Sequence, residues 1–331
     1  MILVTGGTGL VGAHLLYHLT KKGEKVRAIY RNIEKVEALK NILFFEKDEV
    51  LFNQIDWVEA DVTNIPSLIE AFYGIDYVYH CAGFISFDPR KFKQLKSINI
   101  EGTANIVNLC IKNNIKKLCH VSSIAAIGKN INDLIITEET EWNSEIENDV
   151  YAITKYGAEM EVWRGTQEGL NSVIVNPGII LAAGFWESAS GSIFTKVKNG
   201  LPFYPQGKNG FVDIIDVINI MVKLMNSNYT NQRYIIVAEN LTYKKVLYSI
   251  AENLNVSPPK IELKPWLLKI FWRLDWLKNM LFKTERLLTR ITAKNRSLNY
   301  DYSSEKVKKD LNYTFIPLNK SIVSICSKMK N

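Results

Sequence analysis

The sequence predicts an α/β protein: a doubly wound parallel sheet followed by a smaller, mostly helical C-terminal region. Three observations predict it. From residue 2 to about residue 176, short apolar runs alternate with helical stretches, the order expected of βαβ units. Each run is apolar almost throughout, as in Ile2-Leu3-Val4 and Val173-Ile174-Val175, which suits strands covered by helices on both faces. The chain of 331 residues is 47% hydrophobic and 23% charged. That composition excludes global disorder and allows one large or two modest domains.

The elements follow in order. Ile2 to Thr5 reads as a strand and Leu10 to Lys22 as a helix. Lys25 to Tyr30 and Ile55 to Ala60 are the next strands, followed by a helix from Ile65 to Phe72. Tyr77 to Cys81 is a fourth strand, Asn99 to Asn113 a long helix, and Lys117 to Ser122 a fifth strand. Tyr151 to Gln167 is helical and Ser172 to Asn176 returns to the sheet. After Pro177 the pattern loosens, and Gly178 to Gly210 shows little periodicity. Strands near 211–217 and 233–238 are candidates to rejoin the first sheet. We therefore divide the chain into 1–176 and 177–331, the second part capping the first and shaping a cleft.

Charge and cysteine usage exclude some classes. Ten basic and three acidic residues lie between Lys260 and Arg296, which accounts for the entire net charge of +7. A single basic segment is not a chain-wide nucleic-acid footprint. It is also aromatic, with Trp266, Phe271 and Trp272, so 264–296 is a candidate for peripheral contact with an anionic membrane; core packing and a lid are the other readings. Four cysteines without a Cys-x-x-Cys pair suggest reduced thiols. The first strand begins at Ile2, which leaves no room for a targeting segment, and no apolar run approaches a spanning helix. We expect a cytoplasmic protein. No metal site is expected: His14 and His18 have zinc-like spacing but no third ligand in view. His80 and His120 close two strands, and packing is the simpler role for both.

Two motifs carry chemistry. Thr5-Gly6-Gly7-Thr8-Gly9-Leu10-Val11-Gly12 joins the first strand to the first helix. It satisfies Gly-x-Gly-x-x-Gly and Gly-x-x-Gly-x-x-Gly equally. In such a turn one glycine makes the bend, one admits a pyrophosphate and one lets the helix pack on the strand. The helix start then offers free N–H groups and a positive dipole end. This makes 1–176 a Rossmann-type dinucleotide-binding domain. The second strand ends in Tyr30-Arg31 without an acid, so Arg31 is suited to the 2′-phosphate of NADP, with NAD the alternative.

The second motif is Tyr151-Ala152-Ile153-Thr154-Lys155 at a helix start. Residues four apart share a helix face, so phenol and ammonium enter one pocket. A cation within ~4–6 Å favours the phenolate, moving tyrosine toward acid/base use. Val121-Ser122-Ser123 ends the fifth strand, at a carboxyl end where such sheets bind ligands.

Together these motifs resemble the extended short-chain dehydrogenase/reductase family, also called the NAD-dependent epimerase/dehydratase family. Further matches are Asp61-Val62, His80-Cys81-Ala82-Gly83, Asn99-Ile100-Glu101-Gly102-Thr103 and Asn176-Pro177-Gly178. The resemblance implies an oxidoreductase, usually dimeric, in which Tyr151 is the acid/base, Lys155 tunes it and binds the nicotinamide ribose, and Ser123 orients the substrate oxygen. Ser123 is chosen over Ser122 by its spacing to Gly128. The cofactor would lie on Gly6, Thr8, Gly9, Leu10, Val11 and Gly12, with Asp61 and Val62 at the adenine. Ala82 and Gly83 would line its track, and Pro177, Gly178, Ile179 and Ile180 would flank the nicotinamide. Asn99 resembles the family's helix-opening asparagine, with an N-cap or helix bond as open as a proton-relay role.

Ile127-Gly128 in place of Tyr-Gly, Arg31, and Phe211-Val212-Asp213-Ile214-Ile215-Asp216-Val217 lean toward the branch similar to dihydroflavonol reductases and 3β-hydroxysteroid dehydrogenases. The expected substrate is a small carbonyl or alcohol compound. Phe84, Phe87, Phe185, Trp186, Phe194 and Phe203 suggest an apolar one. A nucleotide-sugar epimerase or dehydratase with retained NAD is the alternative, and a sensor without catalysis is a third.

Overall fold

A computed structural model describes residues 1–44, 48–129, 135–188, 190–264, 266–268, 270, 272–273, 275–276, 291 and 299–330. The first half runs β1 (Ile2–Thr5), α1 (Leu10–Lys21), β2 (Val26–Tyr30), α2 (Ile33–Leu43), α3 (Glu49–Phe52), β3 (Asp56–Glu59), α4 (Ile65–Ala71) and β4 (Tyr77–His80). It continues with α5 (Phe92–Leu95), α6 (Gly102–Lys112), β5 (Lys117–Val121), β6 (Ile135–Ile136), α7 (Val150–Gln167) and β7 (Ser172–Pro177). Then come β8 (Ile179–Leu181), α8 (Gly191–Lys198), β9 (Phe203–Pro205), β10 (Lys208–Asp213), α9 (Ile214–Met225), β11 (Gln232–Ile236), β12 (Glu239–Thr242) and α10 (Tyr243–Leu254). β13 (Ile261–Leu263), β14 (Asp301–Tyr302) and helices at Glu305–Leu311 and Leu318–Lys330 complete the described chain.

Seven parallel strands form the central sheet in the order β11-β7-β5-β4-β1-β2-β3. The order reverses between β1 and β4, which opens a crevice at their carboxyl ends, where ligands bind in such sheets. Strands buried on both faces explain the near-continuous apolar runs. On one face α1 and α9 pack Leu15, Leu16, Leu19, Val217, Met221 and Leu224 against the sheet. On the other, Leu68, Ile106, Val107, Cys110 and Val162 do the same. A separate cluster around Phe194, Phe211, Ile250 and Ile325 holds the C-terminal region together.

The 233–238 segment rejoins the main sheet as β11, beside β7. The expected strand at 211–217 differs. Its first residues belong to β10, which pairs with β8 and β12 in a separate three-stranded sheet. From Ile214 the chain is helical, because the Asp213 side chain accepts a hydrogen bond from Ile215 N and caps α9. The long helix expected from Asn99 also begins earlier: α5 starts at Phe92, and residues Lys96–Glu101 form a π-helical turn leading into α6. Asn99 is therefore interior to a helical run, not its opening residue. Phe194 is fully buried in the C-terminal core, so it does not face a substrate. Much of 264–296 lies outside the described residues; within it Trp266, Ile270 and Trp276 are exposed and Leu268 is buried. No helix among the described residues is long and apolar enough to cross a membrane.

One buried lysine joins sheet and helix layer. Lys117 on β5 donates to the carbonyls of Leu224 at 2.6 Å and Ser227 at 2.9 Å. This satisfies the carboxyl end of α9, where a cation is also favoured by the helix dipole. Hydrogen bonds to charged groups contribute about 1.5–3 kcal/mol. Lys117→Met should lower the urea unfolding midpoint by a comparable stability loss; an unchanged midpoint would contradict this role.

Candidate active site

The glycine turn sits at the sheet's switch point. Gly6 has φ +67, and a Cβ there would lie 2.6 Å from Ala82 N. So Gly6 supplies both the left-handed bend and the close approach of β1 to the chain leaving β4. A Cβ on Gly12 would lie 2.3 Å from the Gly6 carbonyl oxygen; Gly12 is what lets α1 seat on β1. Gly9 is different. It is exposed, its added Cβ would meet the Gly6 oxygen at 3.3 Å, and it caps α1 without a side-chain bond. The first helical bond of α1 is Ala13 N to Gly9 O, at 2.8 Å. The N–H groups of Leu10, Val11 and Gly12 therefore precede the ladder. An exposed helix start with no side chain over it fits a dinucleotide pyrophosphate.

Two residues expected at opposite ends of the adenosine come together. Arg31 Nη1 lies 3.5 Å from Asp61 Oδ2, and Arg31 is 57% exposed. Burial raises the Asp61 carboxyl, but its bonds from Thr63 and the nearby Arg31 outweigh this and hold it below the ordinary value. Val62 is buried, and a Cβ on Gly102 would meet it at 2.7 Å. Ala82 N donates to Thr5 Oγ1, and Gly83 is exposed. Pro177 ends β7, and Gly178 N donates to Ile236 O. Ile179 and Ile180 are half-buried in β8.

The Ser123 hydroxyl, which accepts from Ala125 N at 3.1 Å, lies beside the Tyr151 phenol and favours its charged form. Ser123 lies just past β5 and Tyr151 in the first turn of α7, which Asp149 caps by accepting from Ala152 N. Lys155 Nζ donates to Val121 O at 2.8 Å in a buried setting. Burial pushes the Tyr151 phenol up to about 12; the Ser123 hydroxyl pulls it down and the Asp149 charge pushes it up. Burial thus outweighs the lowering expected from the Lys155 spacing. Burial also lowers Lys155 to about 8, against the raising effect of Glu159 and Cys81. Phe87 meets Tyr151 edge-on, with ring centroids 5.7 Å apart.

Asn99 holds the loop beside this pair. Its Oδ1 accepts from Phe84 N at 2.7 Å, and its Nδ2 donates to Phe84 O at 3.0 Å and Thr154 Oγ1 at 3.1 Å. The amide is thus a two-way clamp on one residue's backbone and a tie to α7. His80 is satisfied by Thr5 and Thr103, and His120 packs against it with centroids 5.1 Å apart. Both are fully buried and act as packing residues. His14 bonds the Ala183 carbonyl and lies beside Phe185, so α1 supports the loop after β8.

A match to the description "NAD dependent epimerase/dehydratase family" spans residues 2–237. The chain belongs to the NAD-dependent epimerase/dehydratase family. Its relatives include a Synechocystis sp. protein provisionally named dihydroflavonol 4-reductase, 29% identical over 272 residues, covering 80% of this chain and 75% of the relative. Another is the 3 beta-hydroxysteroid dehydrogenase/Delta 5-->4-isomerase of vaccinia virus, 25% identical over 345 residues, covering 94% and 93%. Among solved structures, gox2253 superposes with a TM-score of 0.81 at 23% identity, over 100% of this chain and 98% of that one. This family member is therefore an enzyme of the extended short-chain dehydrogenase type, on the dihydroflavonol-reductase-like and hydroxysteroid-dehydrogenase-like side.

Sequence reasoning gave no role to Glu159 or Arg233, and none to Asn176 beyond its place in the Asn176-Pro177-Gly178 match. The spacing of Lys155 and Glu159, four apart on one helix, was the available signal. The two glycines make a discriminating test. Gly12→Ala should destabilise by about 1–3 kcal/mol, as overpacking does, whereas Gly9→Ala should stay within about 0.5 kcal/mol. Thermal melting of both variants reads the difference; equal losses would contradict the assigned packing.

Proposed function

We propose that this enzyme is a reductase or dehydrogenase that interconverts a carbonyl and an alcohol with a dissociable nicotinamide cofactor, NADP in preference to NAD. The observation that carries this is the buried bond from Lys155 to the Val121 carbonyl, which fastens the start of α7 to the carboxyl end of β5 where Ser123 and Tyr151 lie beside each other. When bound, the nicotinamide supplies or takes the hydride. Gly6, Thr8, Gly9, Leu10, Val11 and Gly12 would hold its pyrophosphate side, Asp61 and Val62 the adenine, and Ala82, Gly83 and Pro177 to Ile180 the remainder.

In the reducing direction the carbonyl oxygen takes the place on Ser123 that points toward Tyr151. As the carbonyl carbon gains hydride, Tyr151 gives its phenolic proton to that oxygen, leaving an alcohol and a phenolate. Oxidation is the reverse. Lys155, held by Val121, would place positive charge on the same side of α7 as the phenol and would donate to the ribose hydroxyls of a bound cofactor. Asn99 keeps the Phe84 backbone in place beside the reacting atoms. Phe87 packs edge-on against Tyr151, an apolar surface beside the phenol that favours a substrate with an apolar body.

Arg31 supports NADP. Its pair with Asp61 is long and solvent-exposed, so it contributes about 0–1 kcal/mol, and a 2′-phosphate with charge-assisted bonds competes well for it.

Turnover of NADPH against a panel of dihydroflavonols and 3-keto steroids tests the reading. Tyr151→Phe should leave NADPH affinity unchanged and lower kcat by about 10²–10⁴-fold, the usual size of a general-acid contribution. Undiminished kcat in that variant would sink the assignment.

A further inference from the structure

Behind the Tyr151–Lys155 pair lies a charge cluster that the mechanism above does not use. Glu159 stands one turn beyond Lys155 on α7 and is 0% exposed. Its Oε1 accepts from Ser122 Oγ and from Asn176 Nδ2, both at 2.5 Å. Its Oε2 lies 3.6 Å from Arg233 Nη1. Asn176 Nδ2 also donates to the Ser123 carbonyl at 3.0 Å. The carboxylate thus reaches both residues of the Ser122-Ser123 turn, one directly and one through Asn176. Arg233 is itself fixed from the far side: its Nε and Nη2 donate to Glu138 O at 2.8 and 2.5 Å.

A charge buried this deeply is costly unless paired and bonded. Three side chains from three strands or their ends meet this one. We propose that Glu159 is a positioning residue for the reaction: it sets the Ser122-Ser123 turn through Ser122 and Asn176, and it is the counter-charge that keeps Lys155 an ammonium. The proposal rests on the reductase reading for its catalytic meaning.

Charge accounting supports the second part. The titratable groups that face Lys155 among the described residues are Glu159 on α7, His80 and Cys81 at the end of β4, and His120 on β5. Burial pushes the Cys81 thiol up to about 12, with Lys155 opposing, so it is uncharged near neutrality. Burial lowers His80 to about 3 and His120 far below its ordinary value, so both imidazoles are neutral. Glu159 is the one carboxyl among these, and it raises Lys155 against the effect of burial. Burial raises its carboxyl above the ordinary value; the Ser122 bond, Arg233, the Asn176 bond and Lys155 oppose that without reversing it.

The test reads Lys155 directly, without turnover. The full chain is labelled with ε-¹³C lysine and titrated by ¹H–¹³C NMR, the Lys155 signal being assigned by its loss in Lys155→Met. Glu159→Gln should move the Lys155 midpoint down by about one pH unit or more, a tenfold change in proton affinity. Glu159→Asp should restore most of it. An unmoved midpoint in a folded Glu159→Gln protein, or the same fall in Glu159→Asp, overturns the proposal. Should Glu159→Gln not fold, Arg233→Met reads the same cluster: losing a competing cation should raise the Lys155 midpoint, and an unmoved one overturns it. In turnover, Glu159→Gln should lower kcat and shift the alkaline limb of kcat to lower pH with NADPH affinity retained. A purely structural role would lower kcat without moving that limb. If the parent shows no reductase turnover while the NMR shift stands, the functional reading fails and the coupling survives.

Discussion

The bond from the Lys155 ammonium to the Val121 carbonyl organises the rest of the site. It fastens α7 to the carboxyl end of β5 at the height where the strand gives way to Ser122-Ser123. Tyr151 lies one turn nearer the helix start, so the same attachment sets its hydroxyl against Ser123. A buried ammonium would be expensive alone. Here a carbonyl accepts from it, and the Glu159 carboxyl one turn along α7 opposes the lowering that burial causes. The consequence is a phenol and a hydroxyl held side by side before any substrate arrives, an arrangement that needs little reorganisation during proton transfer.

The sheet supplies the second half of the geometry. Strand order reverses between β1 and β4, and at that seam Gly6 lies against Ala82 so closely that no side chain fits. The open start of α1 and the Tyr151–Ser123 pair therefore face the same carboxyl edge of the sheet. A cofactor laid along that edge runs from one to the other. Asn99, inside a π-helical turn, spends its whole amide on Phe84 and Thr154. That clamp fixes the backbone of the loop after β4. π-turns inside helices often mark functional sites, and this one places an asparagine where a regular helix would have turned it away.

Much of this was legible in the residues. Buried parallel strands are written as plain apolar runs, so their positions read to within a residue or so. The glycine turn and the Tyr151–Lys155 spacing are local, and local spacing survives folding. Other features were not. The helix start at Phe92 comes after Asp88-Pro89 in a lysine-rich stretch without clear periodicity, and the π-turn shifts the helical phase between α5 and α6. The strand at 211–217 looked continuous because Ile214 and Ile215 continue its apolar character, while the stop lies in one capping carboxylate at Asp213. Arg233 is far from Glu159 along the chain, and only the addition of β11 to the sheet edge brings them together. The place of Arg31 beside Asp61 likewise depends on two neighbouring parallel strands in register.

A titration of the purified protein with NADPH and with NADH, monitored by nicotinamide fluorescence after a check for carried-over cofactor, tests the central claim most directly. A dissociable NADP-dependent reductase should start with an empty site and show saturable, reversible binding that favours NADPH. Tightly retained NAD, or a clear preference for NADH, would contradict that assignment and return Arg31 to the role of a surface partner for Asp61.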